Sequence, residues 1–492
     1  MTMKRLTIMT AVAALMLGAS QCRKPVDTIA TPQGGTVEVT VSVTNGADKT
    51  DITSAGIVEW KKGDRLYVVG ETKGLLGHVT ATAAGDPVNF TGEIIAFNEA
   101  QTLRFYYVGD NGFKLDGNNY TLSTSVQDGS LTDIATKNQL MWGIRENATL
   151  PDLGTITMRS CIAIAHLNIN YGGNAVSDPV TITGGYKGAT FNAKTFDGTF
   201  SSTTSGDITM TFAGATSTNC YLALLPGTQT LKFIVSSKVN TLGEKTVKAN
   251  KFYNADNAIA VTVEHEYVNF GTPNLNWSKY NLGIDILDLD TDTDWYGNYY
   301  QWGSATPVTS TANVGWANCP HTRGTYSSGN KKVFTKYVPK NKASTYGYGG
   351  YYDDLTTLQS ADDAAAVAWG NGWRMPTQQE WESLCDNNTF RWLAKGTTDS
   401  GTGFKAVAAG YLVVKGGKNG ISLNNSVYMF LPAAGYREGT SLGEGGSGGC
   451  YWSSSLNTDT PDNANAVYFT SGSITIPSID HRYYGYSVRP VR

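Results

Sequence analysis

The sequence predicts a multidomain chain, all-β over its N-terminal half and α+β over its C-terminal half. Three observations carry this reading. From residue 36 to about His265, short β-prone runs alternate with Gly, Asn and Asp and show no helical periodicity between them. Of the 11 tryptophans, only Trp60 and Trp142 precede Glu266, and the first helix signals come after that point. The length, 492 residues, suggests about three units at roughly 150 residues each. Charged residues make up only 16% of the chain, but 40% hydrophobic and 11% aromatic content supplies ample core, so disorder is not expected. A net charge of −3 without a basic stripe excludes nucleic acid and an anionic membrane face as partners.

Taken in order, Lys4 and Arg5, the apolar run from Leu6 to Leu17, and Gly18, Ala19 and Ser20 read as an export signal over residues 1–21. The run is shorter than the ~20 residues of a membrane span. Cys22 stands where a bacterial lipoprotein signal places its acylated cysteine, although Gln21 replaces the usual small residue before it. Membrane attachment is therefore expected only through a lipid at Cys22, with unlipidated cleavage after Ser20 as the alternative. Residues 22–35, with Pro25, Pro32, Gly34 and Gly35, form a linker. Thr36 to Thr44 then alternates: Val37, Val39, Val41 and Val43 on one face, Glu38, Thr40 and Ser42 on the other, the pattern of a half-buried strand. The runs Arg65 to Val69, Leu103 to Val108, Ile162 to Ile169, Tyr221 to Leu225, Leu231 to Val235 and Ala258 to Val263 continue it as two β-sandwiches, 36–150 and 151–265.

The third unit, 266–492, holds two short helices. One follows Ser360, Asp362 and Asp363, whose acidic side chains suit a helix start before Ala364, Val367 and Ala368. The other follows the capping box Thr377-Gln378-Gln379-Glu380 and places Trp381, Leu384 and Cys385 on one face. Past residue 400, Gly- and Ser-rich hairpins return. Cys161, Cys220, Cys319, Cys385 and Cys450 are widely spaced with no C-x-x-C pair, so they read as small buried hydrophobes, a single bridge among the last three being the other possibility.

Val58-Glu59-Trp60-Lys61-Lys62-Gly63-Asp64-Arg65-Leu66, Leu140-Met141-Trp142-Gly143, the apolar run from Cys161 to Leu167, Leu222-Ala223-Leu224-Leu225-Pro226-Gly227 and Lys251-Phe252-Tyr253 resemble the fimbrillin family of secreted pilus subunits. That resemblance implies a lipoprotein precursor with two transthyretin-like β-sandwiches, joined to other pilus subunits by strand exchange after proteolytic trimming. On it, Lys49 is the expected processing site, Thr36 to Thr44 the strand expelled, and the chain an accessory or tip subunit that accepts a donor strand without giving one. From Val268 onward, Tyr296-Gly297-Asn298-Tyr299-Tyr300-Gln301-Trp302-Gly303, Trp369-Gly370-Asn371-Gly372-Trp373-Arg374-Met375-Pro376-Thr377, Phe430-Leu431-Pro432-Ala433-Ala434-Gly435-Tyr436-Arg437, Tyr451-Trp452-Ser453-Ser454-Ser455 and Gly485-Tyr486-Ser487-Val488-Arg489-Pro490-Val491 are similar to the Fibrobacter major paralogous domain. This implies a C-type-lectin-like fold, which hosts many activities.

Arg374, Glu380 and Trp381 match the R-x-P-x-x-x-E-W segment of formylglycine-generating enzymes, yet no cysteine follows Cys450, and a capped helix with Arg374 bonding core carbonyls is the favoured reading. Asp285, Asp288, Asp290, Asp292 and Asp294 cluster, but Trp295 and Gln301 occupy the glycine and glutamate positions of a calcium loop, so a solvated acidic loop is expected and no metal or cofactor. His78, His166, His265, His321 and His481 show no ligand spacing and no nucleophile partner. The candidate binding residues are Tyr346, Tyr348, Tyr351, Tyr352, Asp353 and Asp354 in a Gly-rich loop, with Tyr436, Arg437 and Trp452; Tyr436 and Trp452 also fit the core. Together these point to a non-enzymatic, surface-exposed pilus subunit that binds a host or bacterial glycan or protein. A monomeric glycan-binding outer-membrane lipoprotein is the alternative, and a formylglycine-generating-type enzyme the remote one.

Overall fold

A computed structural model describes residues 35–45, 60–254, 257–287, 289–325 and 332–492. The signal, Cys22 and Lys49 lie outside these residues. Among the described residues strands hold 47% and helices 9%, spread over several sheets.

Seven strands close a barrel: β1 (Thr36–Asn45), β2 (Arg65–Gly70), β3 (Gly74–Ala81), β4 (Val88–Ile95), β5 (Gln101–Tyr107), β6 (Met141–Ala148) and β7 (Asp152–Ser160), in the order β1-β4-β3-β2-β5-β6-β7. The alternation read in β1 is realised: Val39, Val41 and Val43 are buried while Glu38 and Thr40 face solvent. β1 is also the closing strand, antiparallel to β4 (Val41 opposite Phe90) and parallel to β7 (Val43 opposite Ile156). Trp60 fills the interior, edge-on to Phe90 at 5.2 Å and to Tyr107 at 5.3 Å.

β2 and β5 bury both faces. Leu66, Val68 and Phe105 point into the barrel, whereas Tyr67, Val69 and Tyr106 point out of it into a second core with Phe113, Tyr120, Phe191 and Phe196. Tyr106 Oη donates to the Ala193 carbonyl at 2.7 Å. The first two units therefore share a core, and the boundary read at 150/151 shifts. β7 belongs to the barrel through Ser160, while Asn119–Ser123 pairs with Tyr186–Asn192 of the second unit. In that unit β8 (Ala163–Tyr171) lies between β9 (Cys220–Leu224) and the parallel strand Ile259–Thr262. A second sheet built on Val180–Thr183 covers it, with Ile169, Val180, Leu222, Phe233 and Val261 in the core.

The third unit combines a three-stranded sheet, β10 (Asn388–Leu393), β11 (Gly410–Gly417) and β12 (Asn424–Pro432), with a five-stranded one. In the latter, β13 (Gly448–Leu456), β14 (Asn463–Thr470) and β15 (Ser473–His481) are neighbours in that order, and β16 (Tyr486–Ser487) lies between β13 and Tyr299–Tyr300. Helix α1 (Ala364–Trp369) is capped by Asp363, which accepts from the Ala365 and Ala366 amides at 2.9 and 3.1 Å. Fully buried Arg489 donates to the carbonyls of Ser278 and Phe430 at 3.1 and 2.7 Å, tying the sheets together. The unit docks on the second one through His265, whose ring stacks on Trp369 at 3.5 Å, and through Tyr171, which donates to the Trp369 carbonyl at 2.6 Å. The five described cysteines are free, four of them buried and Cys385 half-buried.

Helix α2 (Gln378–Asn387) has the capping box read in the sequence: Thr377 Oγ1 accepts from the Glu380 amide and Glu380 accepts from the Thr377 amide. Trp381 and Leu384 are buried. Arg374 holds the Met375 carbonyl, as expected, but chiefly the Glu380 carboxylate, through two nitrogens at 2.8 and 2.5 Å. Burial alone would raise the Glu380 pKa, yet the Arg374 and Thr377 donors outweigh it and hold the carboxyl below its ordinary value. Its contribution is therefore full above the ordinary carboxyl range and fades as pH falls through the depressed value. Glu380→Ala should lower stability by about 1 kcal/mol at pH 7 and by less at pH 3; thermal melts at both values check this, and an equal gap at both would contradict it.

Candidate ligand-recognition face

The tyrosine loop divides into an anchor and a display. Tyr346, in the single turn Ala343–Tyr346, is only 3% exposed and packs with Phe334 and Val338, against which Trp316 also rests. Its expected role in binding is thus corrected: the turn rotates its ring inward, where it pins the loop. Tyr348, Tyr351 and Tyr352 remain 57%, 39% and 46% exposed. The carboxylates read as ligand groups are committed to backbone. Asp353 accepts from the amides of Tyr337, Val338 and Leu355 at 2.8, 2.9 and 3.2 Å and from the Tyr351 hydroxyl at 3.2 Å. Asp354, in the left-handed region at φ 54°, accepts from the Lys340 amide at 2.6 Å. The outcome is a rigid loop carrying three exposed phenol rings, with the Lys340 ammonium 5.5 Å from the Tyr352 ring.

Trp452 is also a correction. It is fully buried in β13, stacks on Tyr486 at 4.3 Å and donates to the Tyr300 carbonyl at 2.8 Å, because eight of the nine residues in that strand are buried. Tyr436 is half-buried, 5.6 Å from Tyr484, and the Arg437 guanidinium lies 5.4 Å from the Tyr299 ring and donates to the Ser310 carbonyl.

Around Tyr436 the structure gathers residues that no local sequence pattern joins. Tyr483 contacts Tyr484 at 4.4 Å and Trp316 at 4.9 Å, and His481 lies 5.2 Å from Trp316 and 5.6 Å from Tyr483. All are partly exposed. The Tyr483 hydroxyl donates to Glu438 at 2.9 Å, and burial followed by Tyr484 and Glu438 raises its pKa. Between His481 and Tyr483, Arg482 points inward. It is buried, with Trp302 and Phe334 4.8 and 4.2 Å from its guanidinium, and donates to the carbonyls of Tyr337 and Lys336 at 2.7 and 3.4 Å. Burial brings its pKa down to about 10, so the guanidinium stays charged at neutral pH. Flat rings beside hydroxyl, imidazole and carboxylate groups can stack on and orient a surface ligand.

The remaining candidates have structural surroundings. His166 Nε2 bonds Asn219 Oδ1 at 2.8 Å, and its ring stacks on Tyr221 at 4.7 Å. In the acidic loop, where Asp288 lies outside the described residues, Asp294 accepts from the Thr291 amide at 2.6 Å and Asp292 pairs with Lys395 at 3.3 Å. Among the described residues no group of three His, Cys, Asp or Glu side chains could hold a metal.

No protein-family profile matches the chain, and no curated protein does. Solved structures similar to part of it include a Bacteroides ovatus protein provisionally described as a cell adhesion protein, 13% identical over 48% of this chain and 97% of that one, TM-score 0.32. A fimbrial assembly protein from Parabacteroides distasonis is 10% identical over 44% and 88%, TM-score 0.27. The tip fimbrial protein Mfa3 from Porphyromonas gingivalis is 10% identical over 42% and 81%, TM-score 0.25. Likenesses this weak carry no conclusion about function or site.

The anchor and display roles separate in stability. Tyr346→Ala should cost about 3 kcal/mol or more, as for a buried aromatic, whereas Tyr348→Ala and Tyr352→Ala should stay within about 0.5 kcal/mol of the parent. Chemical denaturation of the three variants distinguishes them, and equal losses would contradict the division.

Proposed function

We propose that the chain is a cell-surface pilus subunit, placed at the tip, whose transthyretin-like β units serve assembly and whose C-type-lectin-like third unit recognises a surface glycan or protein. The observation that carries the assembly reading is β1. It is paired on both edges and supplies three buried valines, so its departure after processing at Lys49 would leave β4 and β7 unpaired beside an apolar trench. A partner subunit's strand with the same alternation would restore both ladders and the core. Residues 486–491 are built into the third unit: β16 is paired on both sides and Val491 bridges to Trp277 and Arg374. The recognition reading draws on the exposed tyrosines and the aromatic cluster at Trp316 and Tyr483.

The role is binding rather than catalysis, since Arg374 is engaged by Glu380 and the described cysteines are free and well covered. The lipid at Cys22 would hold the precursor at the outer membrane, and without strand exchange the same chain would act as a monomeric glycan-binding lipoprotein. Immunogold labelling of intact cells should place this chain at one end of a polymer, and Cys22→Ala should abolish incorporation of an acyl label. Signal along the whole shaft, or polymerisation of the purified chain alone, would overturn the tip assignment. A membrane-bound monomer that never enters a high-molecular-weight ladder would favour the lipoprotein reading.

A further inference from the structure

On the third unit, away from the aromatic cluster, a groove of about 520 Å³ runs beside the first turn of α2, between the end of β13 and Pro477 of β15. That volume lies within the ~300–1,000 Å³ of small-molecule sites. One wall is a fixed relay of amides. Buried Asn465 donates to Gln378 Oε1 at 2.6 Å and to the Leu456 carbonyl at 3.3 Å, and Gln378 Nε2 donates to Glu382 at 2.6 Å. The Gln378 amide donates in turn to Ser455 Oγ at 3.1 Å, anchoring the helix start to the strand. Asn457 closes the β13–β14 turn by accepting from the Thr460 amide and hydroxyl at 2.8 and 2.9 Å.

Thr377, also in the lining, is engaged by the Glu380 amide, but four further groups facing the groove are unengaged. Thr356, Thr357, Gln379 and Thr458 are exposed, and their side chains make no hydrogen bond among the described residues. Three hydroxyls and a carboxamide that can each donate and accept thus stand over a rigid polar wall. No lysine, arginine or histidine among the described residues lines the groove, so a phosphate or carboxylate would meet no countercharge, only the Glu382 carboxylate. No aromatic ring lines it either, which removes the stacking surface a nucleobase requires. Leu456 and the Pro477 ring supply the limited apolar contact that suits the C–H face of a pyranose.

We propose that this groove, where the amide relay of α2 and β14 meets the free hydroxyls of Thr356, Thr357 and Thr458, binds a neutral oligosaccharide. The proposal deepens the recognition reading and rests on it only in taking the third unit as the recognising part. Each sugar hydroxyl both donates and accepts, and the groove offers both partners at fixed positions, so little ordering is required on binding.

The test is calorimetric titration of the full chain with lactose, maltotriose and N,N′-diacetylchitobiose, with sialyllactose as the anionic control. The variants are a Gln379→Ala, Thr458→Ala double substitution, whose exposed side chains make no hydrogen bond among the described residues, and Tyr483→Ala on the aromatic cluster. At least one neutral probe should bind. The double variant should weaken it about tenfold or more while melting like the parent, Tyr483→Ala should leave it unchanged, and sialyllactose should bind no tighter than lactose. No binding by any neutral probe, or binding unaffected by the double variant, would overturn the groove. Loss only with Tyr483→Ala would also overturn it, moving the ligand to the aromatic cluster and leaving the broader recognition reading standing; surface attachment lost in neither variant would count against both.

Discussion

The candidate recognition face depends on one buried cation. Arg482 is held inside the third unit by aromatic faces and two carbonyl acceptors rather than by a carboxylate, and its inward direction decides what its neighbours do. His481 to Tyr484 form a turn, closed by the Tyr484 amide donating to the His481 carbonyl at 3.0 Å. With Arg482 held inward at the turn, His481 and Tyr483 stay partly exposed on either side of it and meet Trp316. The carbonyl that Arg482 grips belongs to Tyr337, whose amide is held by Asp353, the residue that rigidifies the loop carrying Tyr348, Tyr351 and Tyr352. A single guanidinium so links the two displays of aromatic rings. Leaving a buried guanidinium's acceptors unpaired costs more than the bonds themselves contribute, which is why such a group fixes geometry as well as stability.

The N-terminal units follow a different logic. β2 and β5 bury two faces, one toward the barrel and one toward the next core, so β2 reads as a nearly continuous apolar run, β5 ends in Phe105-Tyr106-Tyr107, and the first two units are joined. β1 differs. It is apolar on one face only, and its buried valines belong to the barrel core and not to the shared one. At the other end, the His265–Trp369 stack and the Tyr171 hydrogen bond fasten the third unit to the second.

What was legible in the sequence was local. The valine alternation of β1, the Thr377 to Glu380 capping box and the acidic start of α1 each involve residues within a few positions of one another, and each appears where it was read. What was not legible depends on partners far along the chain. Tyr346 and Tyr348 are two residues apart in one Gly-rich loop, and only Phe334 and Val338 decide that the first is inside and the second outside. Trp316 and Tyr483 lie 167 positions apart, so no local pattern joins them. The 150/151 boundary moved for a similar reason, because the pairing of β7 with β1 spans more than a hundred residues.

The central claim is that Arg482 orders both parts of the recognition face. Hydrogen–deuterium exchange on Arg482→Lys, which keeps the charge but removes the fork of donors, tests it most directly. The account predicts faster exchange in residues 332–354 and 481–486 together, with β11 and β12 as protected as in the parent. Faster exchange confined to 481–486, with the tyrosine loop unchanged, would contradict it.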